Sequence, residues 1–272
     1  MAFHELGGTC VFACDNDEKA RQTYRENFKA TSPELFANGV FATDIENVKE
    51  SKLPKFDLLC AGFPCQPFSQ AGFRKGFADH GRGNLFFEIA RIMSAARPAA
   101  YFLENVRGLK HHDEGRTFSA IQQVLQEELG YSFAWKIVKA SDFNLPQHRP
   151  RTFMVGFDKS KFGESCDDFE FPEPVPLKKT MSDIWNAPCD REVGFTLRCG
   201  GRHSGIDNRW NWDAYRVKGK VRILSPKEGK RMMGFPDTYK FPVAERFAMR
   251  QLGNAVAVPA IKAVGAAMLD FI

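Results

Sequence analysis

Short apolar runs alternate with stretches of helical period over the first 157 residues, and this alternation restricts the fold more than any other feature. The runs are Cys10-Val11-Phe12-Ala13-Cys14-Asp15, Phe56 to Cys60, Ala99 to Leu103, Tyr131 to Ala140 and Thr152 to Phe157. Each is short, apolar and bounded by breakers, as buried strands are. Between them lie helical patterns. Glu18 to Phe28 carries Ala20, Tyr24 and Phe28 on one face behind an Asp17 cap. Asn84 to Pro98 places Leu85, Phe86, Ile89, Ala90, Ile92 and Met93 at helical spacing. Thr117 to Leu129 does the same with Phe118, Ile121, Val124 and Leu125, and Gly130 stands at the C′ position. Strand and helix in alternation predict an α/β fold, a mostly parallel Rossmann-like sheet covered on both faces.

After Asp158 the alternation stops. Asp167 to Pro176 is acidic and proline-rich, and reads as a linker or an irregular wrap. Gly194 to Asp213 mixes Gly, Arg, His, Asn and Trp. A helix resumes at Pro226 behind Ser225, and another runs from about Val258 to Phe271. The division expected is 1–157 for a large α/β domain, 158–221 for a small irregular region, and 222–272 for a return to the large domain. Charge follows this division. The chain is +5 overall, but Arg198 to Arg250 holds thirteen Lys/Arg against five Asp/Glu, so the remainder is −3. A concentrated basic region on a near-neutral body suits nucleic-acid phosphates, although a solvated cationic face is the plainer reading. No apolar run of membrane length and no signal pattern is legible. The seven cysteines show no Cys-x-x-Cys pair and no zinc spacing, so they read as reduced thiols of a cytoplasmic protein, with no metal site.

Polar residues recur at the C-terminal ends of the strands, where open α/β sheets place their ligands. Phe56 to Cys60 leads through Ala61-Gly62 into Phe63-Pro64-Cys65-Gln66-Pro67-Phe68-Ser69. Pro64 fixes its own φ and holds Phe63 extended, which pre-sets the direction of the Cys65 thiol. The alternative for Cys65 is a small core hydrophobe. Ala99 to Leu103 ends in Glu104-Asn105-Val106, and a glutamate after an apolar strand should be partly desolvated and raised in pKa. Its alternative is a structural ion pair with a nearby arginine. Arg149 and Arg151 flank Pro150 before the last strand, one residue apart and therefore expected to point the same way.

Gly-Phe-Pro-Cys-Gln-Pro-Phe-Ser, Glu-Asn-Val, Gln147-His148-Arg149-Pro150-Arg151, Met233-Gly234-Phe235-Pro236-Asp237 and Gln251-Leu252-Gly253-Asn254-Ala255-Val256 occur in one order. Together they resemble the DNA (cytosine-5) methyltransferases of bacterial restriction-modification systems, over nearly the whole chain from about Leu6. The resemblance implies S-adenosylmethionine as cofactor and double-stranded DNA as substrate. It makes Cys65 the nucleophile at C6 of a flipped-out cytosine, Glu104 the acid at N3, and Arg149 and Arg151 the holders of the base and a nearby phosphate. It gives Asp15 the ribose hydroxyls, Asn16 the adenine flank, and Asp44 with Ile45 the adenine amino edge. Gly62, Pro64 and Leu85 would line the cofactor site, and Asn254, Ala255 and Val256 would close it. Gln66, Ser69, Arg198, Arg202, His203 and Arg209 would contact DNA, with Arg202 and Arg209 the guanine readers. The segment 158–221 takes the place of a small target-recognition domain. The resemblance also implies a cognate restriction endonuclease as partner, no membrane, and a bacterial, nucleoid-associated location.

Family members begin with a strand and an aromatic-x-Gly-x-Gly loop for the methionine half of the cofactor. Here Met1-Ala2-Phe3-His4-Glu5-Leu6-Gly7-Gly8 reads as the tail of the helix that follows that loop. The expectation is that the strand is missing from the centre of the sheet and that a complementing N-terminal segment restores it. An alternative is a catalytically impaired DNA-binding fragment or subunit. Another is a tRNA cytosine-5 methyltransferase, whose recognition region carries a Cys-Phe-Thr tripeptide that this sequence lacks.

Overall fold

The computed structural model describes residues 1–37, 41–64 and 85–272. In chain order its helices are α1 (Ala2–Glu5), α2 (Glu18–Phe28), α3 (Pro33–Ala37), α4 (Leu85–Ala96), α5 (Arg116–Gln123), α6 (Lys159–Phe162), α7 (Met181–Trp185), α8 (Pro226–Met233), α9 (Glu245–Asn254) and α10 (Val258–Leu269). Its strands are β1 (Ala13–Cys14), β2 (Phe41–Ala42), β3 (Leu58–Gly62), β4 (Ala100–Val106), β5 (Ala134–Val138), β6 (Arg151–Phe157), β7 (Ala214–Val217) and β8 (Lys220–Ile223).

The expected caps form. Asp17 accepts hydrogen bonds from the Lys19 and Ala20 backbone N–H groups and so starts α2. Ser225 and Glu228 make a reciprocal capping box at the start of α8, Pro226 occupies its first turn, and Gly234 ends it at φ 76°. Three expectations are corrected. Among the described residues the first run pairs over Ala13–Cys14, opposite Phe41–Ala42 of β2. The helix expected from Thr117 to Leu129 is α-helical to Gln123 and then widens into a π turn, in which the Leu129 N–H donates to Val124 O at 2.9 Å. The strand expected over Tyr131 to Ala140 shortens to Ala134–Val138. Tyr131 bridges Asp158 instead, and Ala140 opens a turn.

The main sheet has the order β3-β4-β6-β5. β3 and β4 run parallel, whereas β6 is antiparallel to both β4 and β5. Three of the four strands therefore share one direction, as expected of a mostly parallel sheet, and β6 alone opposes them. No crossover helix separates β5 from β6, and strands joined by a plain loop pair antiparallel. Both faces are covered. Tyr101 and Leu103 pack with α4 and α5, while Ala100 and Phe102 pack with α10, as the alternation of a strand dictates. A third core, around Trp212, Tyr215, Met232 and Leu252, joins the β7–β8 hairpin to α8 and α9. β1 and β2 form a separate two-stranded parallel sheet. Residues 245–269 are together long and apolar enough to cross a membrane, but extended backbone at Ala255 and Ala257 divides them into α9 and α10, both with buried faces.

Candidate functional site

The register of the parallel pair sets Gly62 at the end of β3 beside Glu104 on β4. A side chain would not fit at position 62 without displacing the carboxylate, because a Cβ there would lie 3.2 Å from Glu104 Oε2. Glu104 is mostly enclosed, and Arg151 Nε reaches its Oε1 at 2.8 Å. Burial raises the carboxyl above the ordinary glutamate value, and outweighs the opposing pull of Arg151 and Arg149. Asn105, buried, donates from Nδ2 to Phe63 O at 2.9 Å and accepts the Val106 N–H at 2.8 Å. That bond ties the chain at Phe63-Pro64 to the strand end that carries Glu104. Phe63 is further fixed against Phe86 of α4, with ring centroids 5.6 Å apart. Pro64 itself is exposed. Cys65, Gln66 and Ser69 follow directly in sequence and lie outside the described residues.

Arg149 does not point where Arg151 points. It is fully buried at φ 28°, just before β6, and its guanidinium donates to Leu197 O at 2.9 Å, to Gly253 O at 2.7 Å and to Ala255 O. Desolvation, with Arg151 beside it, lowers its pKa to about 9. The spacing argument fails here because Pro150 and the left-handed backbone at Arg149 break the strand alternation. Arg149 therefore joins the segment at Leu197 to the Asn254 loop and the sheet. The neighbouring Gln147, also buried, donates to Met232 O at 3.1 Å and accepts the Leu197 N–H at 2.9 Å. The approach is close enough that a Cβ at Gly253 would lie 2.7 Å from Cys199 N.

A second cluster gathers the other strand ends. Asp15 follows β1 and Asp44 follows β2, two parallel neighbours. The Cys14 thiol is pushed up to about 11 by burial and then by the two carboxylates. Burial also raises Asp15, whose Oδ1 accepts the Asp17 N–H at 2.8 Å. Its Oδ2 has no hydrogen-bond partner among the described residues. Asn16 is exposed next to it. Asp44 caps the turn that follows, accepting from Glu46 N and Asn47 Nδ2. Ile45 and Leu85 both pack against the core that includes Phe63 and Phe86. Arg91 of α4 locks this arrangement by donating to Ile45 O and Val48 O, each at 3.0 Å, while pairing with Glu88 and Glu50. Asn254 is exposed at the end of α9 and accepts from Cys199 Sγ at 2.6 Å, Ala255 receives Arg149, and Val256 packs on the α10 core.

The four base-contact candidates outside the Cys65 loop separate. Arg202 is a clamp rather than a free reader. It binds the buried Asp213 at 3.4 Å, Glu245 at 3.0 Å and Leu224 O at 2.6 Å. His203 gives its backbone N–H to Asp213 and leaves its ring exposed. Arg198 is exposed, and Arg209 is exposed over the Trp210 ring, 4.8 Å from its centroid. Sequence reasoning counted the cations of the β7–β8 hairpin in its basic region but singled out none of them. Their signal, lysines and arginines at alternate positions from Arg216 to Arg222, is in plain view.

A family model for C-5 cytosine-specific DNA methylase matches residues 1–198 and 191–270. Type II methyltransferase M.DsaV of Dactylococcopsis salina is 37% identical over 304 aligned residues, covering 100% of this chain and 83% of that protein. Type II methyltransferase M.HpaII of Haemophilus parainfluenzae is 37% identical, covering 99% and 86%. Among solved structures, a DNMT2 mutant of Spodoptera frugiperda superposes with a TM-score of 0.71 at 17% identity, covering 98% of this chain and 95% of that one.

Proposed function

This chain belongs to the C-5 cytosine-specific DNA methylase family, which transfers a methyl group from S-adenosylmethionine to cytosine C5 in DNA, and from that premise we propose how its own residues do so. The observation that carries the reading is the tether from Asn105 to Phe63, which binds the stem of the Cys65 loop to the strand end bearing the Glu104–Arg151 pair. Cytosine C5 is a poor nucleophile unaided. Cys65, as thiolate, adds to C6 of the flipped base, and the ring then carries enamine character at C5. At an ordinary thiol pKa near 8.5 only a few per cent is ionised at pH 7, so a cationic surrounding favours the step. Glu104, whose pKa burial raises, acts as the acid at N3 and offsets the charge that builds in the ring. Arg151 orients that carboxyl. Once C5 carries the methyl, its proton passes to water, the C6–S electron pair returns to Cys65 as thiolate, and N3 gives its proton back to Glu104. A base inside a duplex cannot be reached this way, so the substrate is an extruded cytosine.

S-adenosylmethionine supplies the electrophilic methyl group when bound. The residues fit its adenosine half: Asp15 offers the unpartnered carboxylate oxygen for ribose hydroxyls, and Asp44 with Ile45 borders the adjoining strand end. Asn16, Leu85, Gly62, Pro64 and the Asn254 to Val256 loop complete the proposed lining. A cognate endonuclease partner and a nucleoid-associated location follow the restriction-modification context of the relatives and belong to this proposal.

The direct test is transfer of labelled methyl from S-adenosylmethionine to duplex DNA and to tRNA, with label expected in the duplex alone. Glu104→Gln is expected to lower the single-turnover rate on the order of a hundredfold. The sign of its pH effect follows from the acid being the active form. The wild-type rate falls as pH rises through the raised Glu104 pKa, and that alkaline limb disappears in the variant. An identical alkaline limb in both proteins would rule out Glu104 as the acid.

The proposal extends to the gap between the two sheets. Among the described residues β1 pairs only with β2, and β3 pairs on one side only, with β4. Cys10 before β1, Cys60 on β3 and the Met1 amine lie near one another: Cys10 acts on both of the others, and Cys60 and the amine act on each other. Cys60 is pushed up to about 12 by desolvation although the residue remains open to water, as in a crevice. Unpaired strand edges are templates for another strand. A peptide carrying an apolar strand and an aromatic-x-Gly-x-Gly loop is expected to bind there and to raise S-adenosylmethionine affinity, measured by calorimetry. Cofactor affinity unchanged by the peptide contradicts the expectation.

A further inference from the structure

We infer that Arg21 is a positioning residue for S-adenosylmethionine: it pins the strand end at Asp15 and so leaves one carboxylate oxygen of Asp15 free for the ribose hydroxyls. The inference rests on the reading of Asp15 as the ribose ligand.

Asp15 follows β1 directly, and each of its other polar groups is taken. Its N–H donates to Ala42 O of β2 at 3.1 Å. Its carbonyl accepts from Arg21 Nη1 at 2.7 Å. Its Oδ1 accepts the Asp17 N–H at 2.8 Å. Among the described residues Oδ2 has no hydrogen-bond partner, and Asp15 is open to solvent. A carboxylate held at three points with one oxygen unused is preorganised for a ligand that donates. The first bond belongs to the strand ladder and the third to the turn into α2. Arg21 supplies the second from inside α2, where its own N–H donates to Asp17 O at 3.0 Å and its side chain reaches back past the helix N-terminus.

An arginine that served α2 alone would pair with a carboxylate one turn before it, and Asp17 and Glu18 both stand there. Arg21 instead turns to the Asp15 carbonyl, half-buried, with no ion pair and no second side-chain hydrogen bond among the described residues. Its charge acts on the same residue. Desolvation raises the Asp15 carboxyl, the Asp17 N–H and the Arg21 guanidinium pull it down, and the Asp17 carboxylate pushes it up. Cys14 on β1 and Asp44 after β2 face the same strand end, and Arg250 of α9 lies 4.0 Å from Asp17. The Cys14 thiol, pushed up to about 11, stays neutral at physiological pH. A ribose hydroxyl donates to the ionised carboxylate, so the side chain that holds Asp15 in place also favours its accepting form.

The test is calorimetric binding of 5′-methylthioadenosine, which carries the adenosine half without the methionine half, and of its 2′,3′-dideoxy form. Wild type, Arg21→Met and Arg21→Lys are compared at neutral pH and across the acid range, and thermal melting checks the fold. Arg21→Met is expected to weaken the ribose-bearing probe on the order of tenfold at neutral pH and to leave affinity for the dideoxy probe unchanged. In wild type the affinity for the ribose-bearing probe falls as pH drops through the Asp15 pKa, because the protonated acid accepts the hydroxyls poorly. Without the guanidinium that pKa rises, so the acid limb moves to higher pH in Arg21→Met. Arg21→Lys keeps the charge, so its acid limb should stay near that of wild type while part of the affinity returns. A methionine variant that weakens both probes equally, or that leaves affinity and acid limb unchanged while wild type prefers the ribose-bearing probe, overturns the role of Arg21 and leaves the cofactor reading intact. Wild-type protein that binds the two probes equally, or binds neither, overturns Asp15 as the ribose ligand and this inference with it.

Discussion

Replacing Cys65 by serine is expected to lower methyl transfer on the order of a thousandfold or more, with affinity for duplex DNA largely kept. A serine hydroxyl is not ionised near neutral pH and has no base assigned to activate it, so the addition to C6 loses its nucleophile. Binding rests instead on cations and recognition residues elsewhere in the chain. The measurement is a single-turnover rate with labelled S-adenosylmethionine beside a binding isotherm for the same duplex. A loss confined to affinity would move Cys65 from chemistry to recognition. The structural support is indirect but specific: the loop stem is held by Asn105 at one end of the Glu104 strand. On this proposal Asn105 matters through position, and Cys65 through bond formation.

Arg149→Met is expected to cost about 3–4 kcal/mol of folding stability, since three carbonyls that a buried guanidinium satisfies would be left without donors. In a chain of this size that corresponds to a fall on the order of 8 °C in melting temperature. The residue also holds a strained left-handed backbone, φ 28°, which only tight surroundings maintain. Its Nε has no partner among the described residues, so the terminal nitrogens do the joining. Arg149→Lys is expected to recover part of the loss, because an ammonium keeps the charge but not the planar fork. Melting curves and denaturant titrations of the three proteins decide the point. A methionine variant as stable as wild type would mean that water replaces the guanidinium and that Arg149 is free to serve substrate.

These two residues mark the limit of what the sequence conveys. Caps depend on local chemistry, and Asp17 and Ser225 could be read directly from their neighbours. That Phe56 to Cys60 and Ala99 to Leu103 both end in candidate site residues was legible, and the parallel register sets Gly62 beside Glu104. Arg149 could not be read in the same way. Its direction depends on a backbone angle that alternation arguments assume away, and its partners lie 48 to 106 positions along the chain. Arg202 was legible as a cation in a recognition segment, but its occupation by Asp213 and Glu245 follows from tertiary packing. The antiparallel β6 has the same origin, since ladder direction belongs to pairs of strands and not to either strand alone. The cations from Arg216 to Arg222 were legible as part of the basic region from Arg198 to Arg250, but that they share one hairpin follows from the pairing of β7 with β8.

The central claim is that the chain methylates cytosine through a covalent bond from Cys65 to the ring. A duplex carrying 5-fluorocytosine at the target position, incubated with the protein and S-adenosylmethionine, tests it most directly. Fluorine at C5 cannot depart as the proton does, so the C6–S bond cannot be released and the complex should survive denaturation. Mass spectrometry of the digested complex should find the modified base on the peptide containing Cys65, and Cys65→Ser protein should yield no denaturation-resistant complex. A stable adduct formed by the Cys65→Ser protein, or an adduct mapped to another cysteine such as Cys199, would contradict the account.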